Sequence, residues 1–207
     1  MKNKLIIKAC LTLALLPALQ KLQAQDHRLK LDLNYQVSQP FGSLHDYVNK
    51  TSFNGWNGAL MYDINPNWSA GLSIGFQDYY QKIPRQVYHS GTTDVSAVQT
   101  HTLQSIPVEA TGRYTWRAAQ PGIHPYAGLG IGIADINYEK YWGEFVDQYN
   151  TVHFSVSPMA GLLIPISERS PVDVNIGVRY NYVPYSNNEV GNLSALQGNI
   201  GLQIGLH

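Results

Sequence analysis

The stretch Leu196-Gln197-Gly198-Asn199-Ile200-Gly201-Leu202-Gln203-Ile204-Gly205-Leu206-His207 alternates without a break. Leu196, Gly198, Ile200, Leu202, Ile204 and Leu206 fall on one side of the chain. Gln197, Asn199, Gly201, Gln203, Gly205 and His207 fall on the other. A period of two over that length is a β-strand with two unlike faces, one apolar and one polar or small.

Seven earlier segments repeat the pattern. Leu29 to Ser38 sets Leu29, Leu31, Leu33, Tyr35 and Val37 against Lys30, Asp32, Asn34, Gln36 and Ser38. Trp56 to Ile64 puts Trp56, Leu60, Tyr62 and Ile64 on one face. Trp68, Leu72, Ile74 and Phe76 alternate with Ser69, Gly71, Ser73, Gly75 and Gln77. Ile106, Val108, Ala110, Tyr114 and Trp116 oppose Ser105, Glu109, Thr111, Arg113 and Thr115. A fifth strand, Ile123 to Tyr138, carries Leu129, Ile131 and Ile133 opposite Gly128, Gly130 and Gly132. A sixth, Thr151 to Ile166, is interrupted by Pro158 and Pro165. The seventh runs from Val172 to Tyr182. Eight strands suffice to close a small antiparallel up-and-down barrel.

The connections alternate in length. Asn65-Pro66-Asn67, residues 117–122 and residues 167–170 make short turns, with Asn, Pro and Gly in the turns themselves. Residues 40–54, 81–100, 139–150 and 184–192 make long ones. Both chain ends then fall on the short-turn side. Short inner turns and long outer loops are the asymmetry of a transmembrane barrel of a bacterial outer membrane.

A soluble lipocalin-like barrel has the same alternation with the apolar face turned inward. Three features favour apolar outward. The polar faces are mostly Gly, Ser, Asn and Gln, which suit a narrow lumen. Aromatics gather at strand ends: Tyr62, Trp68 and Trp116 beside the short turns, and Tyr79, Tyr80, Tyr138, Tyr141, Trp142, Tyr180 and Tyr182 near the long loops. Two such belts match interfacial girdles. Charges also vanish from the apolar faces at mid-strand, where a lipid-facing Arg or Lys costs roughly 2–4 kcal/mol.

Composition agrees. Charged residues are 14% of the 207, well short of the roughly 25–35% of a soluble surface. No basic stripe of the nucleic-acid-binding kind is present. Residues 1–24 read as a secretory signal, with Lys2, Lys4 and Lys8 ahead of an apolar run from Ala9 to Leu19 and Ala24 as the cleavage residue. The barrel domain is then 25–207. With Lys21, four lysines and no acids leave with the signal, so 10 basic and 14 acidic residues remain, a formal charge of −4. Cys10 lies within the signal. A lipobox reading of Ile7-Lys8-Ala9-Cys10 is spoiled by Lys8 inside the motif, so the mature chain carries no thiol.

Pro125-Tyr126-Ala127-Gly128-Leu129-Gly130-Ile131-Gly132 resembles the Pro-Tyr-x-Gly-x-Gly-x-Gly strand of small outer-membrane β-barrel domain proteins, which are similar to outer membrane proteins A and X. The resemblance covers residues 26–207. It implies insertion by the barrel-assembly machinery among outer-membrane lipid and lipopolysaccharide. Such barrels usually end in an aromatic residue, and this chain ends in His207. A dinucleotide reading of the glycines fails because no helix pattern follows them.

The inward faces carry Lys30, Arg113 and Arg179 against Asp32, Asp63, Glu109 and Asp173. Unpaired charges in a narrow lumen are expensive, so these should form a network across the barrel, with Glu109–Arg179 and Asp173–Arg113 as expected pairs. A plugged lumen is the expectation, and a small channel or hydrophobic-ligand carrier is the alternative. His153 and Ser155 share a strand face and faintly resemble the His-x-Ser of lipid A deacylases. Val156-Ser157 follows where that family has Asn-Ala, so a lipid A-modifying enzyme is not expected. The histidines lack metal-ligand spacing, and no cofactor is implied. Function then rests on the outer loops. Tyr141, Trp142 and Tyr149 are the expected contact for an extracellular protein or surface ligand, and the stretch 81–100 offers a β-edge for strand addition.

Overall fold

The computed structural model describes residues 29–90, 93–117, 122–142, 145–167, 170–185 and 191–206, without the side chains of 85–90, 93–99, 142 and 145–147. The signal reading and His207 fall outside them. Eight strands follow one another: β1 (Leu29–Phe41), β2 (Ser52–Asp63), β3 (Trp68–Ser90), β4 (Thr93–Thr115), β5 (His124–Trp142), β6 (Phe145–Pro165), β7 (Val172–Val183) and β8 (Leu193–Leu206). A single helical turn, α1 (Ser43–Tyr47), lies between β1 and β2.

Each strand pairs antiparallel with the next, and β8 returns to β1, so the sheet closes. The stagger can be followed residue by residue. From Leu31 the partners run through Leu60, Leu72, Ala110, Ile131, Val156, Tyr182 and Ser194 to Phe41, ten residues further along β1. Eight strands with that offset tilt by roughly 40° and leave an interior only wide enough for side chains.

Leu33, Leu60, Leu72, Val108, Leu129, Ile131, Ile176 and Ile200 stand exposed on the outer wall. Their in-between neighbours Asp32, Ser73, Glu109, Thr111, Arg113, Asn175 and Arg179 are buried inside. Trp68, Tyr114 and Trp116 form an edge-to-face cluster at the short-turn end, with centroids 5.1 and 5.0 Å apart. Phe41, Phe53, Tyr80 and Phe154 mark the far rim, all exposed.

Two sequence expectations need correcting. Residues 139–150 are not a loop, since β5 and β6 pair out to Trp142 and Phe145, and the long connection 81–100 is the strand extension that its β-edge reading requires, with β3 and β4 paired out to Ser90 and Thr93. β3 and β4 are 23 residues long, against the 9–11 that cross a bilayer. The apolar outer face stops at the membrane surface, but the backbone ladder continues past it. The second correction concerns Tyr79 and Tyr138. They do not join the outer girdle but point inward, 3% and 2% exposed.

Candidate functional site

The interior has two storeys. The lower one, at membrane depth, is polar. Lys30 Nζ lies 2.6 Å from Asp63 Oδ2, and Ser69 donates to Asp63 Oδ1 at 2.6 Å. Arg117, beside the short turn, stands 3.6 Å from the same carboxylate. Arg113 Nη1 donates to Asp32 Oδ2 at 2.8 Å, and Gln203 Nε2 to Asp32 Oδ1 at 2.6 Å. The Arg113 guanidinium also lies 5.3 Å from the centre of the Tyr126 ring. Tyr126 donates to Asn175 at 2.9 Å, and Asn175 to Asn34 at 3.0 Å, which carries the network across the barrel.

Glu109 is the next centre up. Ser155 and Ser157 both donate to its Oε1, at 2.6 and 2.7 Å, and Arg179 Nη2 stands 3.5 Å from Oε2. The carboxylate is 1% exposed. The glycines of β5 make this possible. A Cβ at Gly130 would meet Glu109 Oε2 at 2.4 Å. Gly130 is therefore the space into which its neighbour's carboxylate fits, while Gly128 and Gly132 let the β4 backbone approach, with Gly112 O and Val108 O in the places of their Cβ atoms.

The upper storey is apolar. Tyr79, Leu103, Ala134, Ile136, Tyr138, Val183 and Leu193 line it, all buried. α1 folds over its mouth, with Leu44, Tyr47 and Val48 joining the cluster. The Tyr47 ring stacks on His101 at 4.2 Å and 4°, and on Tyr138 at 4.9 Å. None of α1 was expected from the sequence. The available signal was a change of phase on β5: Leu129, Ile131 and Ile133 are odd, whereas Ala134, Ile136 and Tyr138 are even.

The model of the outer membrane protein beta-barrel domain family matches residues 8–205. The chain belongs to that family. It is an integral barrel of the outer membrane, and the soluble lipocalin-like reading is set aside. Solved structures are similar to the chain, and the first of them shares its fold. Neisserial surface protein A is 18% identical with a TM-score of 0.58, covering 86% of this chain and 97% of its own. Ail, the attachment invasion locus protein of Yersinia pestis, crystallised with the heparin analogue sucrose octasulfate, is 15% identical with a TM-score of 0.43 over 85% and 96%. The N-terminal barrel domain of Pseudomonas aeruginosa OprF is 14% identical with a TM-score of 0.42 over 84% and 97%. No curated protein matches the chain.

In this outer-membrane barrel the seven predicted lumen charges separate. Lys30, Asp32, Asp63, Glu109, Arg113 and Arg179 meet in three ion-paired centres. Arg113 goes to Asp32 on β1, not to Asp173. Asp173 instead borders an open hollow of about 820 Å³ at the short-turn end, with Arg117 and His124. The reason is proximity: Asp173 is the second residue of β7, near the lumen's exit, whereas Asp32 reaches Arg113 across the interior. Two voids within the barrel measure about 10 and 30 Å³. Each suits a water or two, and neither admits a lipid-sized molecule.

His153 and Ser155 do not face each other as base and nucleophile. Ser155 donates a hydrogen bond to Glu109, while His153 Nε2 sits 3.1 Å from Thr151 Oγ1 and its ring meets Tyr185 edge-on. Tyr141 and Tyr149 are exposed at 39% and 60%, on strands and not in a loop. Trp142 closes β5, and its side chain lies outside the described residues.

Proposed function

We propose that this protein is a non-conducting surface barrel whose work is done by the sheet that β3–β6 raise above the membrane. The supporting observation is that these strands outlast their neighbours and, with the outer ends of β7 and β8, enclose an apolar core beneath α1. The ion-paired lower storey then serves as a plug that fills the lumen and holds the register.

The partner on this reading is an extracellular protein that adds a strand to the sheet. The ladder between β6 and β7 ends at Val156↔Tyr182, so Phe145–Ser155, paired with β5 on one side, has no partner strand on its other side among the described residues. The opposite edge, on β3 beyond Asp78, also lacks a partner strand among the described residues, and the segment before β2 touches it at its foot. Ser52 donates to the Asp78 carbonyl, and Gln81 Oε1 accepts from the Asn49 amide at 2.7 Å. A free edge rich in β-formers is a template for strand addition. Two measurements test this. Planar-bilayer recording should show no steady conductance. In solid-phase binding to a panel of secreted proteins, Thr151→Pro should lose whatever the wild type binds. A large steady conductance, or binding indifferent to Thr151→Pro, overturns the reading.

A further inference from the structure

The larger of the two voids, about 30 Å³, lies in the lower storey and is lined by both of its buried arginines. Arg113 comes from β4 and Arg179 from β7, with Thr111, Asn57, Asn175 and Asn199 also in the wall. The two arginines are 3% and 5% exposed. Asp32 is the carboxylate of that wall, so two guanidiniums meet one acid there.

The wall is also short of hydrogen-bond acceptors. A guanidinium is a fork of N–H donors and accepts nothing. Asp32 Oδ2 accepts from Arg113 Nη1, and its Oδ1 is already taken by Gln203. The asparagine oxygens are engaged as well: Asn175 Oδ1 accepts from Tyr126, and Asn34 Oδ1 from Asn175. Glu109 gives its Oε1 to two serines, and its Oε2 stands 3.5 Å from Arg179 Nη2, beyond ordinary hydrogen-bond length. Arg113 Nε is buried and donates to no atom among the described residues.

We propose that this void is a binding site for one small inorganic anion of chloride size, which links the Arg113–Asp32 pair to the Arg179–Glu109 pair. Buried cationic donors without acceptors are costly. A water would relieve some of them, but it brings two protons of its own to a wall with few oxygens to receive them. A halide only accepts, and its charge offsets the second guanidinium. Size makes the selection: room for a water or two admits a bare halide and excludes a carboxylate or sulfate. The site belongs to the lower storey and does not depend on what the crown binds.

The test uses full-length protein folded into phosphatidylcholine vesicles at fixed pH and ionic strength, with sodium chloride exchanged for sodium gluconate. At about ten times its dissociation constant, chloride should shift the unfolding equilibrium about tenfold towards the folded barrel. The effect should saturate with concentration, and bromide should reproduce it. Gluconate, too large for the void, sets the baseline. Asn199→Asp adds a carboxylate to the wall and should remove the chloride dependence, whatever the variant's own stability; heat-modifiable gel mobility checks that it folds. Should it not fold, the wild type decides alone: crystals grown in bromide should give an anomalous peak between Arg113 and Arg179. Equal unfolding in chloride and gluconate, a chloride effect that never saturates or that survives in Asn199→Asp, or bromide crystals with no peak there would leave the void to water and overturn the proposal.

Discussion

Below the outer rim the barrel is apolar outside and polar inside; above it, the two faces have exchanged chemistry. β5 passes through both regions without a break. Its ladder with β4 is continuous from Thr115↔Tyr126 to Gln99↔Trp142, so no bulge or slip turns the strand over. Leu129, Ile131 and Ile133 face out, and Ala134, Ile136 and Tyr138 face in. The solvent outside dictates the facing, and the barrel accepts either. In lipid, the outer wall must be apolar and the inner polar groups must satisfy one another. Above the membrane, water takes the polar wall, and the hydrophobic effect can gather Leu103, Ile136 and Tyr138 under α1.

The two regions are therefore held by different forces and should fail differently. The largest effect is expected in the lower storey. Arg179→Met leaves Glu109 buried with two serine donors and no cation. Breaking a buried pair from one side costs about 3–5 kcal/mol. Adding Glu109→Gln removes the orphaned charge and should recover part of the loss. Urea unfolding in lipid vesicles measures both, and strictly additive costs would show that the pair is not coupled.

A smaller global effect is expected from the crown. Leu103 is fully buried there, and Leu103→Ala costs about 2–5 kcal/mol where the site cannot collapse. That loss should stay local: faster proteolysis within 81–100 or 139–150, with the barrel's unfolding midpoint nearly unchanged. A midpoint that falls as far as for Arg179→Met would mean that the two storeys unfold as one, and the contrast would be lost.

The sequence shows the lower region far more plainly than the upper one. Lipid imposes one rule on every strand, so Leu196 to Leu206 or Val172 to Tyr182 reveals its facing by alternation alone. The Glu109–Arg179 partnership follows from two opposite charges on inward faces at similar depth. Asp173 defeats the same argument, because depth along a tilted strand decides whether a carboxylate reaches the interior or the exit. In the crown no single rule operates. Residues 81–84 and 100–104 mix Gln, Lys, Ile, Thr, His and Leu, which looks like a loop to any test for an apolar outer face. The helical turn Ser43–Tyr47 has one turn's worth of pattern, too little to stand out.

The smallest perturbation tests the inversion itself. Ile131 and Asn137 lie on the same face of β5, six residues apart, and differ only in the solvent they meet. Cys10 is the one native cysteine, so single cysteines are introduced into a Cys10→Ser background. Ile131→Cys should react with a lipid-soluble maleimide and resist a charged one. Asn137→Cys should do the reverse, although alternation along the strand is unbroken between them. Ile136→Cys, one residue away and 0% exposed, should react with neither until the protein unfolds. The two outward cysteines should shift stability little, whereas Ile136→Cys shortens a fully buried side chain and should cost about 1–3 kcal/mol within the crown. If Asn137→Cys labelled from lipid and Ile136→Cys from water, the apolar face would run outward along the whole strand. The polar wall and the core beneath α1 would then both be wrong.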